Sequence, residues 1–212
     1  AERLIDEAGC TASFLGYQPY DAKRPYPAAL CVSINEEIVH GIPNEKERIL
    51  REGDIVSLDL GLKHKGFITD SAVTVPVGAV DDESRDIMRL AREALEAGIK
   101  AAQPGAHVGD IGEAVHKVVK GTGYSLAEDL AGHGVGFEVH EDPFVPNIGR
   151  KGEGEKLVPG MVIAIEPMVN AGDSAIADTD DGYTIVTADG SRSAHFEHTI
   201  AITETGNIVL TR

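Results

Sequence analysis

The sequence predicts an α+β fold built on antiparallel sheet. Three observations carry that expectation. Strand-like segments with period-two alternation occupy both ends of the chain, two segments of helical periodicity lie between them, and turn signals join most neighbouring strands. The order strands, helices, strands also points to two similar halves. With 212 residues, no low-complexity stretch, no fixed-period repeat and no linker-like segment, residues 1–212 read as one domain.

The elements follow in order. Residues 1–8 look like the tail of a helix, which Gly9 can end in the left-handed conformation. Residues 28–34 and 54–62 alternate as strands, and 67–76 returns as a partner after a turn at Lys63-His64-Lys65-Gly66. Ile87, Ala91, Leu95, Ile99 and Ala102 then recur at helical spacing. Asp81, Asp82 and Ser84 offer caps, and Pro104-Gly105 stops that helix. A second helix covers about 110–120, with Ile111, Val115 and Val119 on one side. Strands return near 161–169, 182–188, 193–203 and 207–211, with turn signals at Asp189-Gly190 and Thr205-Gly206.

Composition excludes several function classes. Thirty-five acidic against 19 basic side chains leave a net charge of −16, which argues against a nucleic-acid or anionic-membrane partner. Two cysteines, Cys10 and Cys31, cannot build a disulfide framework, so a reducing compartment, the cytoplasm, is expected. No apolar run reaches membrane-spanning length, and no signal-peptide pattern opens the chain.

Carboxylates within apolar strands are the chemical signal. A hairpin centred between His64 and Lys65 sets Asp59 directly opposite Asp70, on a polar face away from Val56, Leu58, Leu60 and Leu62. Like charges so placed repel. A shared proton, a basic side chain or a metal ion must compensate, and no Lys or Arg shares that face nearby in sequence. Glu166 lies in the apolar segment Met161–Met168, where a lone carboxylate is costly to bury. Glu197 projects opposite Phe196, Ile200 and Ile202, on the side shared by His195 and Thr199, and His195 itself receives no role.

Between these segments, Gly132-His133-Gly134-Val135-Gly136 suits a histidine presented from a tight loop, with His140 following and His40 a third candidate. Four carboxylates carry a charge of −4, and two divalent cations balance it. Oxygen donors with one imidazole favour Mn, Fe, Co or Zn.

Five motifs, in this order, resemble one family. They are Val32-Ser33-Ile34-Asn35 with His40-Gly41-Ile42-Pro43; the Asp59 and Asp70 pair; Gly132–Gly136 with His140-Glu141-Asp142-Pro143; Gly160-Met161 with Ile165-Glu166-Pro167-Met168; and Phe196-Glu197-His198-Thr199. Together they resemble type I methionine aminopeptidase. The resemblance implies the pita-bread fold, with two pseudo-symmetric halves, helices on the outer face of antiparallel sheet, and a dinuclear centre. It implies removal of the initiator methionine from nascent polypeptides, met at the ribosome, by a monomer.

By resemblance Asp59, Asp70, His133, Glu166 and Glu197 hold two divalent ions, with Asp70 and Glu197 bridging. His40 and His140 match two active-site histidines that contact the scissile amide nitrogen and the oxyanion, and Glu166 matches the proton carrier. Phe14, Tyr17, Cys31, Val139 and Tyr183 match the methionine pocket, which His40 and His140 also border. Two departures stand out: residues 17–27 are longer than the family's usual loop, and a further N-terminal helical segment is expected before residue 1. Two rivals share the scaffold, an Xaa-Pro peptidase of prolidase type and a catalytically inactive binding relative.

Overall fold

The computed structural model describes residues 1–20 and 22–212; Asp21, in the long 17–27 segment, lies outside the described residues. The first half runs α1 (Glu2–Glu7), β1 (Thr11–Ala12), β2 (Cys31–Ile34), β3 (Glu37–Val39), β4 (Ile55–Asp59), β5 (Leu62–His64), β6 (Phe67–Thr69) and β7 (Ala72–Pro76). Two helices follow, α2 (Asp82–Ala101) and α3 (Val108–Val119). The second half runs β8 (Ser125–Leu126), β9 (Ala131–Gly134), β10 (Glu141–Pro146), β11 (Val162–Ile165), β12 (Met168–Asn170), β13 (Ile176–Asp178), β14 (Ile185–Thr187), β15 (Ser193–His195), β16 (His198–Thr203) and β17 (Gly206–Val209). Every strand pairing among the described residues is antiparallel. No helix among them is long and apolar enough to cross a membrane.

The helices form as their spacing dictates. The Asp81 carboxylate accepts the Ser84 N–H at 2.8 Å and caps α2, whose Ile87, Ala91, Ala94, Leu95 and Gly98 are buried. In α3 the Asp110 side chain accepts the His107 N–H at 2.8 Å, while Ile111, Val115 and Val119 turn inward. Both helices pack one face of the second-half strands, forming the main core with Ile163, Ile165, Val169, Phe196, Ile200 and Ile202.

Long strands in the sequence prove to be pairs of short ones. The run 54–62 breaks after Asp59, and 67–76 breaks at Asp70-Ser71; 161–169 breaks at Glu166-Pro167, and 193–203 at Phe196-Glu197. Beyond each break the arms of the hairpin pair with different sheets, β2-β4-β7 and β1-β5-β6 in the first half. In the second half, β11 and β16 join a five-stranded sheet while β12 lies between β15 and β8 in a three-stranded one.

Three expectations are corrected. First, the β5–β6 hairpin pairs His64 with Phe67, so its turn is Lys65-Gly66, both at positive φ (50° and 90°). A two-residue turn of that kind favours glycine, which Gly66 supplies and His64 cannot. Asp59 therefore faces Ala72, not Asp70. The displacement is two residues, so the two aspartates remain on one face as diagonal neighbours. Second, the Asp59 face is not the polar surface: Ile55, Ser57 and Asp59 are buried, whereas Leu58, Val73 and Val75 lie on the more open side. Period two shows which residues share a face, but with apolar residues on both faces it does not say which one turns inward.

Third, Gly132-His133-Gly134 is strand β9, not a loop. Its glycines answer close approach and not unusual φ: a Cβ on Gly132 would lie 2.2 Å from the Ala164 carbonyl oxygen, and one on Gly134 2.1 Å from that of Asp142.

Two threonines lock the halves together. Thr199 Oγ1, on β16, donates to the Asp70 carbonyl at 2.7 Å and accepts the Asp70 N–H at 2.8 Å. Reciprocally Thr74 Oγ1, on β7, donates to the His195 carbonyl and accepts the His195 N–H, both at 2.8 Å. Each half thus supplies a hydroxyl that satisfies the backbone at the other half's strand ends. Thr199→Val keeps the shape and leaves both Asp70 backbone groups buried and unpaired. It is expected to cost about 1–3 kcal/mol, read as a lower urea midpoint at unchanged slope, with Thr199→Ser retaining most of the stability.

Candidate metal centre

All four carboxylates stand at the strand breaks. Asp59 is the last residue of β4 and Asp70 lies two residues before β7; Glu166 follows β11 and Glu197 precedes β16. The β11–β16 register, carried unchanged into β12–β15, sets Glu166 opposite Glu197. The carboxylates project from these positions, one pair from each hairpin. Asn147 donates from Nδ2 to the Glu166 carbonyl at 3.1 Å and fixes one break. The Glu197 N–H donates to the Ala72 carbonyl at 2.9 Å and fixes another.

The side chains converge. Ligand atoms of Asp70, His133 and Glu197 lie within 4.8 Å of one another. Glu166 Oε1 is 3.3 Å from His133 Nε2, and Asp59 sits against Asp70. The four carboxylates are at most 9% exposed, yet among the described residues no Lys or Arg pairs with any of them. Burial, reinforced by neighbouring carboxylates, holds Asp59 and Glu197 well above the ordinary carboxylate range. Burial likewise pushes Asp70 and Glu166 up to about 7.

The donor set fits divalent metal. Asp59 Oδ1 and Glu197 Oε1 are buried with no hydrogen-bond partner among the described residues. His133 Nδ1 lies 2.9 Å from the Gly134 carbonyl, a pure acceptor, so Nδ1 carries the proton and Nε2 offers a lone pair. That lone pair faces a carboxylate oxygen, and two acceptors at such range call for a cation between them. Hard oxygen donors with one imidazole suit Mn, Fe, Co or Zn.

One cavity of about 150 Å³ is lined by all five of these residues and by His40 and His140. Phe14, Tyr17, Cys31, Val139 and Tyr183 line it as well, and they belong to a second hydrophobic cluster separate from the main core. His40 follows β3 at φ 60°, and burial lowers its imidazole to about 4. His140 Nδ1 is hydrogen-bonded to the Tyr17 hydroxyl at 2.8 Å, and its ring meets that of His133 edge-on at 4.4 Å. Burial also pushes the Cys31 thiol up, as for an inert wall residue and not a nucleophile.

Sequence reasoning missed two residues here. Tyr26 is buried, donates its hydroxyl to the Gly41 carbonyl at 2.8 Å, and packs edge-on against Tyr183. Its signal was an aromatic side chain held between Pro25 and Pro27. His195 is buried with Nε2 3.4 Å from Glu166 Oε2, and its signal was the face it shares with Glu197.

Residues 3–204 match Metallopeptidase family M24. Over 212 aligned residues the chain is 45% identical to "Methionine aminopeptidase 1" of Bacillus subtilis (strain 168), covering 100% of this chain and 82% of that protein. The crystal structure of methionine aminopeptidase from Thermotoga maritima is similar with a TM-score of 0.92 at 45% identity, covering 99% of this chain and 82% of that one. The prolidase from Pyrococcus furiosus is similar at a TM-score of 0.70 and 26% identity, covering 90% of this chain but 50% of that chain. The two-halved architecture is accordingly the pita-bread fold. On the extent of these matches, the chain belongs to metallopeptidase family M24.

Proposed function

We propose that this chain, as a single catalytic domain, is a methionine aminopeptidase that hydrolyses the first peptide bond of polypeptides beginning with Met. The observation that carries the reading is the convergence of four uncompensated buried carboxylates and His133 on a cavity whose remaining wall is apolar and aromatic. Asp59, Asp70, His133, Glu166 and Glu197 would hold two divalent ions. Such ions supply a water acidified to near-neutral pH and a Lewis acid for the scissile carbonyl.

The chain's own residues do the rest. Glu166 takes the proton of the attacking water and returns it to the leaving amine. His40 contacts the scissile amide nitrogen, and His140, held at Nδ1 by Tyr17, stabilises the oxyanion. Phe14, Tyr17, Cys31, Val139 and Tyr183 receive the methionine side chain, a flexible thioether that packs well on aromatic and sulfur groups. The substrates are nascent N-termini met by a monomer in the cytoplasm, at the ribosome. The larger difference in length and identity from the prolidase favours this reading over Xaa-Pro cleavage.

Given Mn or Co, the chain should release Met from Met-Ala-Ser and leave Xaa-Pro peptides intact; cleavage confined to Xaa-Pro peptides would overturn the assignment. In the same assay Asp59→Ala or Glu197→Ala should abolish turnover, with loss of bound metal by elemental analysis. His140→Ala should retain its metal and lose roughly 10²–10³ in kcat, the scale for one oxyanion donor; an unchanged rate removes it from the mechanism.

Stability should depend on pH with a defined sign. Without metal, Asp70 and Glu166 titrate at about 7 in the native state, against about 4 in the unfolded chain. Between those values the native state holds protons that the unfolded chain has released, so stability falls as pH rises. Metal-stripped protein is expected to melt at progressively lower temperature from pH 5 to pH 7.5, and Glu166→Gln to flatten the slope. An equally steep slope in the variant contradicts this origin.

A further inference from the structure

His195 ends β15 only 1% exposed, and neither of its ring nitrogens has a hydrogen-bond partner among the described residues. A buried imidazole without partners is costly, so its placement needs a reason. Its Nε2 lies 3.4 Å from Glu166 Oε2, while the other oxygen of the same carboxylate, Oε1, faces His133 Nε2 at 3.3 Å. Glu166 is therefore flanked by two imidazoles, one per oxygen. They differ in one respect: His133 gives its Nδ1 proton to the Gly134 carbonyl and turns a lone pair to Glu166, whereas nothing claims the His195 proton.

The backbone of His195 is fixed. Thr74 Oγ1 donates to its carbonyl and accepts its N–H, and lies 2.8 Å from Ser57 Oγ. A threonine hydroxyl has one proton and two lone pairs, so Ser57 must be the donor and the Thr74 hydroxyl is saturated. Met168 pairs with His195 across the ladder. Only rotation of the ring remains, and the carboxylate oxygen placed beside its Nε2 is Glu166 Oε2, at 3.4 Å. A Lys or Arg in this place would keep the carboxylate ionised but offset its charge and so compete with a metal for it. A neutral imidazole donates a hydrogen bond without doing so.

We propose that His195 is a positioning residue whose Nε2–H holds Oε2 of Glu166, leaving Oε1 for the metal and fixing how Glu166 presents itself. The proposal rests on the metal-centre reading above. It adds a donor that orients a ligand from behind, the arrangement by which outer hydrogen bonds raise metal affinity.

Calorimetric titration of the full metal-free chain with Mn(II) tests it without an activity assay. His195→Leu is expected to weaken binding about 10–100-fold, while His195→Gln, whose amide N–H reaches the same oxygen, stays within about threefold of the unaltered chain. His195→Asn, polar but one methylene shorter, should fall with Leu. If the Leu variant does not fold, the contrast between Gln and Asn carries the test. Equal affinity in all variants overturns the positioning role and leaves the metal centre standing. Weakening by Gln as severe as by Leu makes the ring a packing element, which also overturns it. Failure of the unaltered chain to bind Mn(II) removes the metal-centre reading itself.

Discussion

Four carboxylates buried against one another, with no Lys or Arg paired to them among the described residues, form the constraint on which this structure turns. Like charges at such range, largely withdrawn from water, cannot all be ionised unless positive charge is supplied. Protons can supply it, at the cost of silencing the ligands; divalent cations supply it and leave the oxygens available. The fold accepts an unfavourable cluster because the helices and strands around it form a large apolar core that does not depend on the site. Stability and chemistry are thereby separated, with α2 and α3 packed on one side of the second-half strands and the carboxylates projecting from the breaks.

The breaks explain how antiparallel strands can carry such a cluster. Each hairpin changes sheet over two residues, so that its two portions join different sheets, and a pair of carboxylates sits at each change. The first half makes a diagonal pair and the second a directly opposed one. The reciprocal threonines, Thr74 and Thr199, then tie each parted hairpin to the other half, so the two pairs hold a fixed relation.

What could be read from the sequence was what local chemistry determines. Capping and periodicity fixed α2 and α3, and carboxylates in apolar runs marked all four acidic positions. Alternation kept Asp59 and Asp70 on one face even though the turn had been placed one residue too early, because an error of two in register does not change sides. Where tertiary contact decides, the sequence was silent. The splitting of long strands at Glu166 and Glu197 follows from pairing to separate sheets. The strand character of Gly132–Gly134 follows from carbonyls of Ala164 and Asp142 pressing on its backbone. The inward side of β4 follows from its packing beside β15 and β3. His195 carried a visible cue in the face it shares with Glu197, but a single buried imidazole acquires meaning only once its neighbours are in place.

The segment between Tyr17 and Pro27 is fastened across the molecule. Arg24 binds the Glu45 carboxylate of the first half and donates to the Asp181 carbonyl of the second, while the Tyr183 hydroxyl donates to the Arg24 carbonyl and lies 3.3 Å from that of Tyr17. That segment also supplies Tyr17 and Tyr26 to the cavity wall, and Tyr17 grips His140. It acts as a buckle: one stretch of chain spans both halves, walls the cavity and holds the His140 imidazole, so a displacement of either half reaches the cavity wall and that imidazole together.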